Sequence, residues 1–229
     1  MKIFAHDPRF ILNGRDGSQS DAVVVREIWC ENVYEVFDGD LTDTGIVIDI
    51  GANIGAFTLY AAKLGAKKVI AVEPEPHNVE LLRKNVADNQ KNVPDCEFIV
   101  DERAVVGKHT YQPLHAYMTN EHGDSRLLCD GDARSSDRKD LQQVEYTTLD
   151  DLFKEHNLEF IDVLKVDIEG LEGDVILGAQ ESTLNLCRYI TLEYDQHATD
   201  LGAIVEKLSK THQIKYVGAN GGMLFGKRY

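Results

Sequence analysis

The chain has 229 residues and a mass of 25.7 kDa, with 43% hydrophobic and 28% charged residues, which suits one globular domain, or one domain with an insertion, and excludes a disordered chain. Acidic residues outnumber basic ones 39 to 24, for a net charge of −15; such a surface repels phosphate backbones and anionic lipid, so no nucleic-acid or membrane partner is expected, and a small neutral or cationic substrate is favoured. The longest run without Asp, Glu, Lys or Arg, residues 50–62, is too short to span a bilayer, and the opening MKIFAHDPRF lacks the apolar core of a secretory signal, so a cytoplasmic protein is expected.

Residues 10–12 form a short apolar piece, and the polar run 13–21, with two glycines, reads as a loop. Ser20 or Asp21 then caps a helix over residues 22–29, with Val24, Val25 and Ile28 inward. Residues 46–50, IVIDI, are a short β-branched run, the pattern of a strand buried on both faces. Ile54, Phe57, Ala61 and Leu64 follow at helical spacing. VIAVE (69–73) is a second strand, Val79, Leu82 and Val86 mark the next helix, and CEFIV (96–100) is a third strand. This alternation predicts a parallel sheet with right-handed crossovers. Residues 107–145 interrupt it: nearly half of positions 120–140 are charged, which predicts a solvated loop or a lid. The alternation resumes with VLKVD (163–167), a helix over 175–184, YITLEYD (189–195) and a helix over 203–211. QIKYVG (213–218) and GMLFGKRY (222–229) then flank Asn220-Gly221, a hairpin signal. The predicted α/β architecture is a Rossmann-like, doubly wound, mostly parallel seven-stranded sheet with a C-terminal antiparallel hairpin. Residues 1–45 are expected to pack as a helical and extended segment on a 46–229 core. Cys30, Cys96, Cys129 and Cys187 include no CxxC pair, so reduced thiols are expected, not a zinc knuckle or a redox motif.

The segment Asp49-Ile50-Gly51-Ala52-Asn53-Ile54-Gly55-Ala56-Phe57 follows a strand and opens a helix, where a doubly wound sheet binds its cofactor. Gly51 and Gly55 permit a tight turn and close approach of a ligand, Ala52 and Phe57 complete the expected lining, and the first amides of the helix are expected as unpaired donors. Asn53 stands where the dinucleotide fingerprint has its second glycine, and the next glycine comes one residue early. Asp49 is expected beside the pocket, where a carboxylate repels a pyrophosphate and suits an ammonium. S-adenosylmethionine carries an ammonium and a sulfonium and no phosphate, so charge selects it over NAD. Glu73, ending the second strand, is placed to accept both ribose hydroxyls, and Pro74 fixes the turn that follows. Beyond the third strand, Asp101 or Glu102 can accept the adenine amino hydrogens and Ala104 can offer its amide, with Arg103 between them.

Lys165, Asp167 and Glu169 alternate with Val166 and Ile168, so an extended chain puts all three on one side. Charges on a buried strand are costly unless paired or used. Mutual neutralisation of Lys165 and Asp167 is the bland account; their place at a strand's carboxyl end, in the cleft of this architecture, favours function. Methyl transfer from such a cofactor needs alignment, and an acceptor that must lose a proton also needs a base. The candidates are Asp167, Glu169, Glu193, Asp195 and His197, with His115 and His122 reaching in from the charged segment. No metal is assigned; the alternative is Mg²⁺ held by Asp167, Glu193 and Asp195.

VIDIGANIGAFTLYAA (47–62) with AVEPEPHNVELLRKN (71–85) resembles the first two motifs of class I S-adenosylmethionine-dependent methyltransferases, and TTLDDLF (147–153) with IDVLKVDIEGLEGDVILGA (161–179) resembles the signature of the FkbM family. The resemblance spans roughly residues 20–195. It implies an O-methyltransferase acting on sugar or polyketide hydroxyls. It implies that Gly51, Asn53 and Gly55 line the methionine part of the cofactor, that Glu73 holds the ribose, that Glu102, Arg103 and Ala104 lie near adenine, and that Asp167 stands close to the sulfonium. Tyr34 resembles a tyrosine found before this core, and is read first as a core aromatic. A homodimer is the default assembly for a soluble enzyme. The competing readings are a nicotinamide-dependent oxidoreductase on the same layout and a non-catalytic binding protein.

Overall fold

The computed structural model describes residues 1–36, 39–43, 45–107, 114–118, 125–129, 142–168, 170–194, 200–218 and 221–229. In chain order its elements begin with β1 (Lys2–Phe4), β2 (Ile11–Asn13), α1 (Ser20–Arg26) and a π-helical turn over Glu27–Glu31. β3 (Ile46–Ile50), α2 (Ala56–Lys63), β4 (Lys68–Val72), α3 (Pro76–Asn89), β5 (Glu97–Asp101) and β6 (Ala104–Val106) follow. Next come β7 (Leu114–Met118), β8 (Ser125–Cys129), β9 (Gln142–Val144), β10 (Tyr146–Thr148), α4 (Leu149–Glu155) and β11 (Ile161–Val166). The chain closes with α5 (Glu172–Gly178), α6 (Glu181–Leu184), β12 (Cys187–Tyr194), α7 (Leu201–Leu208), β13 (His212–Val217) and β14 (Gly222–Arg228).

Seven strands form the central sheet in the order β13-β14-β12-β11-β3-β4-β5. Of these seven, β14 alone runs opposite to the other six. The chain leaves β3 towards β4 on one side and returns as β11 on the other, so the carboxyl ends of β3 and β11 are the switch point where such sheets open a crevice. The central strands are buried on both faces, as their β-branched runs require. Ile48, Ile50, Leu164, Val166, Ile190 and Leu192 pack on one face with Leu152, Val175, Ile176, Ile204 and Leu208 of the helices from α4 onward. Val47, Val69 and Val163 face the other way, towards α2 and the N-terminal segment.

The N-terminal segment is joined to the core through aromatic rings. Trp29 lies 5.0 Å from Phe10 and 5.5 Å from Tyr60, centroid to centroid, and donates its indole N–H to the Ala56 carbonyl at 3.1 Å. Asn85 and Asn89 of α3 hydrogen-bond to the β2 backbone. Those amides are buried beside Val79 and Leu82 because they extend the contact of the helix to an edge strand.

Several local expectations change. The antiparallel pair β1–β2 and the parallel pair β6–β10 went unseen, since strands of three residues are too short to show a period. The segment read as a solvated loop or lid carries the three-stranded sheet β8-β7-β9. The single helix expected over 175–184 is two, α5 and α6: Gly178 packs so tightly on Gly107 that a Cβ would lie 2.2 Å from the Gly107 carbonyl oxygen, and Ala179 is extended. β13 and β14 pair from His212↔Arg228 to Val217↔Met223, while Asn220 of the expected turn lies outside the described residues. Among the described residues no helix is long and apolar enough to cross a membrane.

His212 opens β13 and is wholly buried. Its Nε2 donates to the Cys187 carbonyl at 2.9 Å, and Nδ1 lies 2.7 Å from the Thr211 hydroxyl. Burial pushes its pKa below the ordinary 6.5, despite the opposing hydrogen bond to Cys187. The unfolded chain therefore takes up the proton first, so stability is full above the unfolded value and is lost as pH falls below it. Between about pH 7 and pH 5, the urea midpoint of the wild type is expected to fall more steeply than that of His212→Gln. Equal slopes would show that the imidazole contributes no pH dependence.

Candidate active site

The site starts from a steric constraint. Gly51 has a φ of 75°, and a Cβ there would lie 1.7 Å from the carbonyl oxygen of Asp167, so only glycine fits where β3 and β11 end side by side. Asn53 also takes a left-handed φ of 50°. The amides of Gly51 and Ala52 donate to the Val72 carbonyl at 2.9 and 3.0 Å, and that of Gly55 to the Ala52 carbonyl at 2.8 Å. The Asn53 amide donates to Glu73 Oε2 at 2.8 Å. These four amides of the turn are engaged within the protein; they precede the first turn of α2, which begins at Ala56.

A cavity of about 300 Å³ lies over this turn. Gly51, Ala52, Asn53, Glu73, Pro74 and Phe57 line it, as the sequence suggests, together with Asp167 and Glu193. The sequence did not point to Asn78 or to the roof, which α1 and the following turn supply through Val24, Glu27, Ile28 and Val33. No spacing pattern marks such a roof, because it is an ordinary amphipathic helix whose partner is a ligand-sized space. Asn53 Oδ1 is buried here with no hydrogen-bond partner. A native buried acceptor without a partner calls for one, and in a cavity wall a ligand can supply it.

Glu73 is buried, and its Oε1 accepts from the Glu75 amide at 3.0 Å and the Asn78 side-chain amide at 3.4 Å. Burial raises its pKa above the ordinary carboxylate value, and these donors with the Asn53 amide oppose the rise. Their directions fix the plane of the carboxylate.

At the other end stand Lys165, Asp167 and Tyr34. Lys165 Nζ donates to the Gly51 carbonyl at 2.7 Å and lies 3.1 Å from Asp49 Oδ1 and 3.7 Å from Asp167 Oδ2. Burial alone would lower its pKa, but Asp49 and Asp167 outweigh burial and raise it, so the side chain is an ammonium. The Tyr34 hydroxyl donates to Asp167 Oδ2 at 2.6 Å. Burial, then the Asp167 charge, holds its pKa well above the ordinary phenol value, so it remains a donor. Tyr34 is thus a core aromatic by burial and by its ring contact with Phe57, yet it also lines the cavity. Glu172 is buried and accepts the amides of Ile168 at 3.1 Å and Gly170 at 2.9 Å, which fixes the turn after Asp167.

Other expected positions differ. Asp49 does not line the cavity: it is wholly buried, accepts from the Thr58 hydroxyl at 2.6 Å, and faces Lys165. Gly55 caps α2 against Leu82 and also lies outside the lining. Glu102 is held by Arg83, and Arg103 by Asp101 and Glu155. The Ala104 amide donates to the Glu145 carbonyl at 2.8 Å, because residues 104–106 form a strand. None of these three lines the cavity. Glu169, Asp195, His197 and His122 lie outside the described residues, as does the side chain of His115. Among the described residues no group of three His, Cys, Asp or Glu side chains is arranged to hold a metal.

A family model for the FkbM methyltransferase domain matches residues 49–216. The chain belongs to the FkbM methyltransferase family. It is a methyltransferase of the S-adenosylmethionine-dependent class, which sets aside the nicotinamide reading. It is 26% identical over 202 residues to the 31-O-demethyl-FK506 methyltransferase FkbM of Streptomyces tacrolimicus, covering 80% of this chain and 78% of that protein. The 2-O-methyltransferase NoeI of Sinorhizobium fredii is 28% identical over 65% of this chain and 63% of its own length. The AMB antimetabolite synthetase AmbE of Pseudomonas aeruginosa is 29% identical over 74% of this chain, which spans only 9% of that much longer protein. In fold, the chain is similar to the crystal structure of a methyltransferase FkbM from Methylobacillus flagellatus KT, with a TM-score of 0.54 at 15% identity, covering 88% of this chain and 47% of that one.

For this FkbM-family chain, Gly51→Ala is expected to lower the unfolding free energy by about 3 kcal/mol or more, because the added methyl meets backbone, not a yielding side chain. A urea midpoint equal to that of the wild type would contradict the contact with Asp167.

Proposed function

We propose that this protein transfers a methyl group from S-adenosylmethionine to a hydroxyl of a small sugar-like or polyketide-like acceptor bound in the cavity over β3, β4 and β11. The observation that carries the reading is the buried Asn53 Oδ1, without a partner, beside the fixed Glu73 carboxylate in a wall rich in acidic groups. The residues present fit the cofactor. Glu73 accepts ribose hydroxyls, Asn53 Oδ1 accepts an ammonium or hydroxyl hydrogen, and Asp167 faces positive charge. When bound, the cofactor supplies a methyl group already activated on a sulfonium, so the protein's main task is alignment. The names of two relatives, one a 31-O-demethyl-FK506 methyltransferase and one a 2-O-methyltransferase, support oxygen as the acceptor atom.

Within this reading the chain's own groups divide the work. Tyr34 and Lys165 engage Asp167 Oδ2, which suits Asp167 to meeting positive charge. Glu193, exposed on β12 at the cavity wall, is the proton acceptor for the hydroxyl among the described candidates. Val24, Ile28 and Val33 exclude water from the roof side. The adenine contacts expected at Glu102, Arg103 and Ala104 are not carried forward, since their polar groups are engaged elsewhere.

Isothermal titration is expected to show S-adenosylhomocysteine binding and no NADH binding. Glu73→Ala should weaken S-adenosylhomocysteine binding about thirtyfold or more, the scale of hydrogen bonds to a charged acceptor. Glu193→Gln should then slow transfer of labelled methyl to a hydroxylated acceptor by about 10²-fold or more, with cofactor affinity retained. Absence of S-adenosylhomocysteine binding to the folded wild type would refute the cofactor assignment.

A further inference from the structure

Residues 15 and 21 lie outside the stretch that matches the family, 49–216, yet they reach its cofactor-side carboxylate. Asp21, in the first turn of α1, is buried and receives the Arg15 backbone amide at 2.6 Å and its Nε at 3.1 Å, while Nη2 also donates to Oδ1. Arg15 Nη1 donates to Asn78 Oδ1 at 3.2 Å, and Asn78 Nδ2 donates to Glu73 Oε1 at 3.4 Å. Asn78 is itself buried, and its backbone amide donates to Glu75 Oε2 at 2.7 Å.

The direction of this chain of bonds follows from chemistry. A guanidinium only donates, so Asn78 must turn its oxygen to Arg15 and its NH₂ to Glu73. With the oxygen and nitrogen exchanged, a donor would face a donor at Arg15 and an acceptor would face a carboxylate at Glu73. The planar fork of Arg15 serves both partners at once: one side grips Asp21 and the other Asn78. Ser20 and Asn78 both line the cavity, whereas Arg15 and Asp21 do not. The link between roof and floor therefore runs behind the ligand space.

We propose that Arg15 is a positioning residue for the cofactor: through Asn78 it adds to the orientation of Glu73, and through Asp21 it seats α1, so that one side chain links roof and carboxylate. The proposal rests on the reading of Glu73 as the ribose acceptor. Binding at Glu73 stabilises the seated roof, and by linkage a seated roof tightens binding.

The test uses the full chain with S-adenosylhomocysteine as probe. Arg15→Lys keeps the charge opposite Asp21, but a single ammonium cannot reproduce the fork. Its dissociation constant is expected to rise about tenfold. At saturating S-adenosylhomocysteine, amide exchange over residues 20–26 should be faster in the variant than in the wild type, a difference that direct ligand contact with the roof would not produce. If Arg15→Lys does not fold, the double variant Arg15→Met/Asp21→Asn removes both partners together, leaves no buried charge alone, and should show the same two changes. Binding within about twofold of wild type together with unchanged α1 exchange would overturn the proposal and leave the cofactor reading standing. Failure of the wild type to bind would remove that reading, and the proposal with it.

Discussion

A buried ammonium at the centre of the sheet is the constraint on which the site depends. Lys165 cannot reach solvent from β11, so its charge must be met within the fold. Asp49 on the neighbouring strand meets it at 3.1 Å, the carbonyls of Ile50 and Gly51 accept its hydrogens, and the Tyr34 ring lies 5.4 Å away. Removing one partner from such a pair typically costs about 3–5 kcal/mol, because the other charge is left buried alone. The same ammonium therefore ties together the glycine turn after β3, the end of β11 and the chain that follows α1. Three segments distant in sequence meet at one cation, and the cavity lies between them.

The close approach of Gly51 to the Asp167 carbonyl has the same effect in steric terms. With no side chain at Gly51, β3 and β11 run together to their ends, and Asp167 emerges directly beside the turn. Glu172 then fixes the chain beyond Asp167 through two amides. Tyr34 is held at its own end by a turn in which Asn32 and Glu35 both take left-handed φ values near 50°, and Asn32 brackets the backbone of Val36 through its side-chain amide. Strained residues on both sides of a side chain that reaches into a cavity fit a requirement for orientation more than for packing.

What was legible in the sequence follows from this physics. Strands buried on both faces announce themselves as β-branched runs, and the helices between them by their 3.6-residue period, so the parallel core and its switch point could be read directly. The acidic residue just after β4 and the glycine turn were legible for a related reason: their place at the strand ends restricts which residues serve there. The roof was not. Val24 and Ile28 carry the same signal whether a helix packs on protein or over a ligand. Nor could sequence show that residues 104–106 pair with residues 146–148, a contact across forty residues with no local pattern. That pairing is what removes the Ala104 amide from the adenine side.

Charge was the sequence's ground for preferring a cationic, phosphate-free cofactor, and it rested on Asp49. The structure relocates it. Lys165 neutralises Asp49 behind the turn, while Glu27, Glu73, Asp167 and Glu193 line the cavity with Lys165 as the one cation among the described residues of its wall. Desolvation is the first cause of a raised pKa at Glu27, and the neighbouring acids Glu31 and Asp167 add to it, so the acidic character of the wall is felt by its own members. The amides of the turn itself are meanwhile committed to Val72, Ala52 and Glu73. A dinucleotide would thus meet repulsion from the walls, whereas a sulfonium and an ammonium would meet carboxylates at both ends of the cavity.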